Sequence, residues 1–179
     1  MTVVDDVDYR PLACLIGTWK GEEGMDVAPE PDGTEENPYD ESIVYEACGD
    51  ATNLEKQTLA ILRYHQVVKR KSNDKVFHNE TGYLTWDSES GTVTQSFAIP
   101  RGVAIVAGGT GEVIGGESSI DVSASRDSDD YTITEAPYMR DNASTQSFIH
   151  RIEVNGDSMS YEELEPYYDL NDRMHGVSG

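Results

Sequence analysis

Apolar and polar residues alternate along most of this chain in short runs, interrupted by clusters of glycine, asparagine, aspartate and serine. Period-two runs of this kind set successive side chains on opposite faces of a strand. They predict strands over 17–25, 41–48, 57–70, 76–87, 92–99, 102–108, 117–126, 130–136, 144–154 and 157–165. The interruptions carry turn chemistry: "DSESG" (87–91), "IPRG" (99–102), "SRDSDD" (125–130) and, most clearly, Asn155-Gly156-Asp157 between two alternating runs. Helical periodicity is nearly absent. Residues 9–16 alone suggest it, with Pro11 suited to a first turn and Leu12, Leu15 and Ile16 on one face.

About ten strands in succession, joined by tight turns, describe an antiparallel meander, and a sheet that long leaves costly edges unless it curls shut. The expected fold is therefore all-β: a closed antiparallel up-and-down barrel of about ten strands with a short N-terminal helix. One domain is expected over 1–179, with residues 1–8 flexible. The stretch "DVAPEPDGTEENPYD" (26–40), with three prolines and six acids, reads as a loop over the barrel mouth. In "KVFHNETGYLTW", Val76, His78, Glu80 and Gly82 share one face and Phe77, Asn79, Thr81 and Tyr83 the other. Neither face is plainly apolar, which points to an interior holding a partly polar pocket instead of a filled core.

Charge narrows the partners. Thirty-four Asp and Glu against thirteen Lys and Arg leave a formal charge of -21, far outside the roughly 2–8 units usual for a small domain. Such a field repels phosphate backbones and anionic lipid, so neither nucleic acid nor a membrane is an expected partner. A solvated acidic surface or a face for a cationic partner accounts for the excess. No leader-like or bilayer-length apolar segment stands out, and the cytoplasm is the expected compartment. Cys14 and Cys48 are then expected to be reduced and buried. Without GxSxG, a P-loop or a Cys–His pair with an orienting group, hydrolase and kinase chemistry have no support.

The segments "LIGTWKGEEG" (15–24), "VFHNETGY" (76–83), "AIPRGVAIVAGG" (98–109) and "VNGDSMSY" (154–161), in that order, resemble the nitrobindin-type heme-binding β-barrels. Those share the fatty-acid-binding-protein-like, lipocalin-like architecture. "GMDVAPEPDGTEENPYDES", "QTLAILRYHQVV" and "PRGVAIVAGG" look like a bacterial branch of the family described as heme-binding-like. The resemblance covers 9–175. It implies a barrel that holds ferric heme b through a histidine fourteen residues beyond a tyrosine of the penultimate strand, a spacing that Tyr161 and His175 reproduce. His175 would be the axial iron ligand and His78 a lining residue. Glu165 stands where heme-binding members carry a methionine. Reaction with nitric oxide, and isomerisation of peroxynitrite to nitrate, is the chemistry implied if heme is bound.

Beside His175 and His78, the expected pocket residues are Trp19, Tyr64, His65, Glu80, Ile99 and Glu165. Lys20, Arg63 and Arg101 are candidate cations for the heme carboxylates. His65, His78 and His150, on separate strands, could share a metal, although no HxH spacing supports it. Trp19 and Trp86 also read as core. Two further functions stay open: a heme-free carrier of an apolar small molecule or lipid, with His78 and Tyr64 near the ligand, and a non-catalytic interaction protein with a filled barrel.

Overall fold

The computed structural model describes residues 2–30, 33–165, 167–169 and 174–175, with backbone alone at 28–30, 33–34, 167–169 and 174–175. In chain order the strands are β1 (Val3–Val4), β2 (Val7–Asp8), β3 (Gly17–Glu30), β4 (Gly33–Asn53), β5 (Gln57–Arg70), β6 (Val76–Asp87), β7 (Thr92–Ile99), β8 (Val103–Ile114), β9 (Glu117–Ser125), β10 (Ile133–Glu135), β11 (Ala143–Thr145), β12 (Ser147–Asn155), β13 (Ser158–Leu164), β14 (Tyr167–Asp169) and β15 (Met174–His175). A helix, α1 (Pro137–Asn142), interrupts them.

The main sheet runs β13-β12-β9-β8-β7-β6-β5-β4-β3, every neighbour antiparallel, with β10 paired to the first residues of β8. It curls into a nearly closed barrel. Among the described residues no ladder joins β13 to β3; side chains close the seam, Tyr161 of β13 reaching Glu41 of β4. The expected strands 57–70, 76–87 and 92–99 coincide with β5, β6 and β7. The expected hairpin at Asn155 is present, with Asn155 paired to Ser158. Its two-residue turn is Gly156-Asp157, whose positive φ at Gly156 alone is the pattern of a type II′ turn.

Four expectations change. Residues 9–16 hold a 3-10 turn at Leu12–Leu15 and no helix, because the Leu12 and Leu15 side chains plug one barrel end and the chain must enter β3 at once. The described residues of 26–40 are not a loop: Val27↔Glu36, Asp26↔Asn37 and Gly24↔Tyr39 pair them as a hairpin arm extending β3 and β4, with Pro29 and Pro38 accommodated in strands with one free edge. Residues 3–8 form the small β1–β2 pair. The run 144–154 is split between β11, which joins β14 and β15 in a separate three-stranded sheet, and β12. Of the cysteines, both free, Cys14 is half-buried and Cys48 exposed. No helix among the described residues is long and apolar enough to cross a membrane.

Alternation divides the interior. At the end closed by Leu12 and Leu15, the inward positions Leu62, Leu84, Val93, Ile120, Val122, Ile152 and Val154 make an apolar plug. Toward the other end the same strands turn polar. Tyr64 and Gln66 follow Leu62 on β5, Glu80 precedes Leu84 on β6, Gln95 follows Val93 on β7, and His150 precedes Ile152 on β12. That polar half is where a site can form.

Candidate functional site

Every side chain of the polar half is aimed inward by strand parity. β5 supplies Tyr64, Gln66 and Val68; β6 supplies His78 and Glu80; β4 supplies Tyr39 and Glu41. β13 contributes Tyr161 and Glu163, which lie opposite Ile152 and His150 of β12. Gly24 of β3 makes room for the Tyr39 ring, since a Cβ there would overlap it. Tyr39 in turn packs edge-on against Phe77, with centroids 6.1 Å apart.

The hydrogen bonds form two directed chains. In the first, His150 Nδ1–H donates to Gln95 Oε1 at 2.9 Å, and Gln95 Nε2 donates to the Tyr64 hydroxyl at 2.8 Å. Tyr64 then donates to Glu80 Oε1, while Glu80 Oε2 lies 3.3 Å from His78 Nε2. In the second, Tyr161 donates to Glu41 Oε2 at 2.8 Å, and Gln66 Nε2 donates to that oxygen and to Tyr161 Oη, each at 3.1 Å. Because the Tyr161 proton is committed to Glu41, the Tyr39 hydroxyl, 3.2 Å from Tyr161 Oη, must be the donor of that pair. Donors thus converge on two inward carboxylates. Glu80 is 1% exposed, so this satisfaction decides whether the fold tolerates it.

Two further acids lack such donors. Among the described residues neither Glu163 nor Glu165 accepts a side-chain hydrogen bond, and burial drives both carboxyls upward. Burial, reinforced by Glu80, Glu165 and Glu41, holds Glu163 well above the usual carboxylate range. Burial, with Glu80 next, pushes Glu165 up to about 7. Burial also raises Glu41, against the opposing bonds from Tyr161 and Gln66. His150 is pushed down to about 4 by burial and stays a neutral donor at pH 7. Burial first, then Glu80 or Glu41, raises Tyr64 and Tyr161, so both phenols keep their protons.

A cleft opens on this network, lined by Asp26, Tyr39, Gln66, Val68, Phe77, His78, Tyr161 and Glu163, with a volume of about 50 Å³. A larger hollow of about 190 Å³ lies at the barrel seam, where Trp19, Lys20 and Ile43 meet Glu41 and Tyr161 of the same network, and hollows of about 300 and 430 Å³ lie elsewhere, at the β8–β9 and β12–β13 turns and beside the β1–β2 pair.

The structure brings Tyr64, His78 and Glu80 together. Glu165 lies one residue beyond β13, at the same end. Trp19 and Ile99 are half-buried against the apolar plug; the Trp19 indole N–H donates to Leu15 O at 2.7 Å, and Trp19 also lines the seam hollow with Glu41 and Tyr161. Trp86 packs the same way. His65, expected in the pocket, is exposed on the outer face, 3.0 Å from Asn79 Oδ1. It is adjacent to Tyr64 on one strand, and adjacent strand residues point to opposite faces. With His65 outside, the three histidines do not converge, and the described residues contain no His, Cys, Asp and Glu grouping suited to a metal. The His175 side chain lies outside the described residues; its backbone pairs with Tyr167. Sequence reading missed Asp26, Tyr39, Glu41, Gln66, Gln95 and Glu163. Parity from Tyr64 would have found Gln66, but the cross-barrel partners carry no local signal.

The described residues, which do not include the His175 side chain, offer no heme-sized space on this network. Pockets for drug-sized ligands run to roughly 300–1,000 Å³, and the cleft on the network offers about 50 Å³. The propionates would need cations. Lys20 is exposed, Arg63 is exposed and tied to Glu46, and Arg101 points to Phe77 O at 3.0 Å. The acids inside would repel them.

The solved structure of Rv2717c from M. tuberculosis resembles this chain over 93% of its length and 92% of that protein's, with a TM-score of 0.64 and 24% identity, a likeness of fold. No curated protein matches. A model of the THAP4-like, heme-binding β-barrel domain matches residues 8–169, stopping short of His175. With nearly the whole barrel inside that match, as the resemblance in its sequence implies, the chain belongs to the THAP4-like heme-binding β-barrel domain family.

Proposed function

We propose that this chain is a small-molecule-binding barrel that works without heme and holds a guest far smaller than a porphyrin in the acidic cleft between β4, β5, β6 and β13. The observation that carries this reading is the two-chain network itself. Tyr39, Tyr64, Tyr161, Gln66, Gln95 and His150 fill the polar barrel end with hydrogen-bonded side chains and leave a cleft of about 50 Å³. Seating heme would break bonds that satisfy buried Glu80 and Gln95, at about 1–3 kcal/mol for each buried group left unpaired. An apolar carrier is disfavoured for the same reason, since a lipid tail offers the carboxylates nothing. The residues proposed to touch the guest are Tyr39, Gln66, Phe77, His78, Tyr161 and Glu163.

The family's description as heme-binding favours a second reading, ferric heme on His175 with nitric oxide or peroxynitrite chemistry. Native mass spectrometry of the protein isolated from its own host separates the two. The first reading expects a bound species lighter than heme that is lost when Val68, 4% exposed on the cleft wall, is changed to Trp. A stoichiometric heme adduct would overturn it.

A further inference from the structure

Resting on that reading, and naming the guest's chemistry, we infer that the cleft binds the head group of a small organic cation, an ammonium or a guanidinium. Three features meet there. The walls are aromatic: Tyr39, Phe77 and Tyr161 all line the cleft, and ring faces attract cations. Of the polar groups between them, Asp26 and Glu163 are acceptors, beside Gln66 and His78. Glu163 has no side-chain hydrogen bond among the described residues, and Asp26 has a single long one, from Asn37 at 3.4 Å. The third feature is Arg70, whose guanidinium carbon sits 5.2 Å from the centroid of the Phe77 ring. The protein's own side chain already exhibits, at the cleft edge, the contact proposed for the guest.

Other guests fail on charge or polarity. An anion would meet Asp26 and Glu163 directly and Glu41 behind Tyr161, three carboxylates against the Arg70 guanidinium at the edge and the His78 imidazole. An apolar guest would seal Glu163 away from water with nothing to pair it. Size favours a small head group: about 50 Å³ holds roughly four or five heavy atoms inside the cleft. A cation also explains how four inward acids share one barrel end, since Glu163 and Glu165 need either protons or a positive neighbour.

Guanidinium and urea have the same shape and differ in charge, which makes them the test pair. Isothermal titration of the full chain with each reads the affinity. The comparison proteins are Glu163→Gln and Glu162→Gln, the latter the same change on an exposed residue paired with Arg151. Saturable millimolar binding of guanidinium is expected, weakened at least tenfold by Glu163→Gln and unchanged by Glu162→Gln. Urea is expected to bind at least tenfold more weakly. Equal binding of urea and guanidinium overturns the cation while leaving a small-molecule cleft. Guanidinium binding indifferent to Glu163→Gln overturns it as attraction to the acidic surface. If neither probe binds and neither shifts the Tyr39, Phe77 or Tyr161 NMR signals, the cleft itself is refuted.

Discussion

Replacing Glu165 by glutamine is expected to stabilise the protein, and only above a definite pH. The folded state holds this carboxyl at about 7 against an ordinary 4.5, burial being the larger cause and Glu80 the next. A group raised on folding contributes stability that is complete below its unfolded value and is lost as pH rises through the folded one. Wild-type stability should thus fall between pH 4.5 and 7 on account of this residue and stay level above. The gap, at about 1.4 kcal/mol per pH unit, amounts to about 3 kcal/mol. Solvent reaching this partly buried carboxyl lowers the expected gain to about 1–3 kcal/mol. Glutamine keeps the shape and never ionises. Urea unfolding at pH 4.5, 6 and 8 should show the variant equal to wild type at the first and more stable at the last, with an unchanged denaturant slope. His150 acts in the opposite sense, since its pKa of about 4 costs stability as pH falls from about 6.5, but both proteins share it and it cancels in the difference. Equal stability at pH 8, or a gain that persists at pH 4.5, would refute the burial argument.

Tyr64→Phe removes the hydroxyl that joins Gln95 to Glu80 and should cost about 1–3 kcal/mol in urea unfolding, because both partners stay buried. Phe148→Ala opens a hole beside Phe97, whose ring centroid lies 5.0 Å away, and should cost about 3–5 kcal/mol by the same assay. His65→Ala, on the outer face, should stay within about 0.5 kcal/mol of wild type and leave guanidinium binding untouched.

The barrel was legible because its strands alternate faithfully. In β9 every second residue of "ESSIDVSAS" is buried, and turn residues mark both ends. Errors arose where local pattern and tertiary role part company. Pro29 and Pro38 look like loop residues, yet β3 has a free edge and the hairpin arm can carry them. Leu12 and Leu15 match a helical face, but their depth in the barrel end sets the backbone. The polar interior was anticipated from the mixed faces of 76–87, with His78 and Glu80 on the inner one. Its partners were not, because Gln95 and His150 lie 55 residues apart and Tyr161 and Glu41 lie 120 apart, and only closure of the sheet makes them neighbours. His65 shows the limit of choosing residues by chemistry alone, since Tyr64 beside it already claims the inner face.

The central claim, that hydrogen-bonded tyrosines, amides and carboxylates fill the polar barrel end and that the protein works without heme, is tested most directly by titrating the purified protein with hemin and following the Soret band. The account predicts no saturable one-to-one band, and no difference between wild type and His175→Ala. A sharp stoichiometric band that disappears in His175→Ala would contradict it.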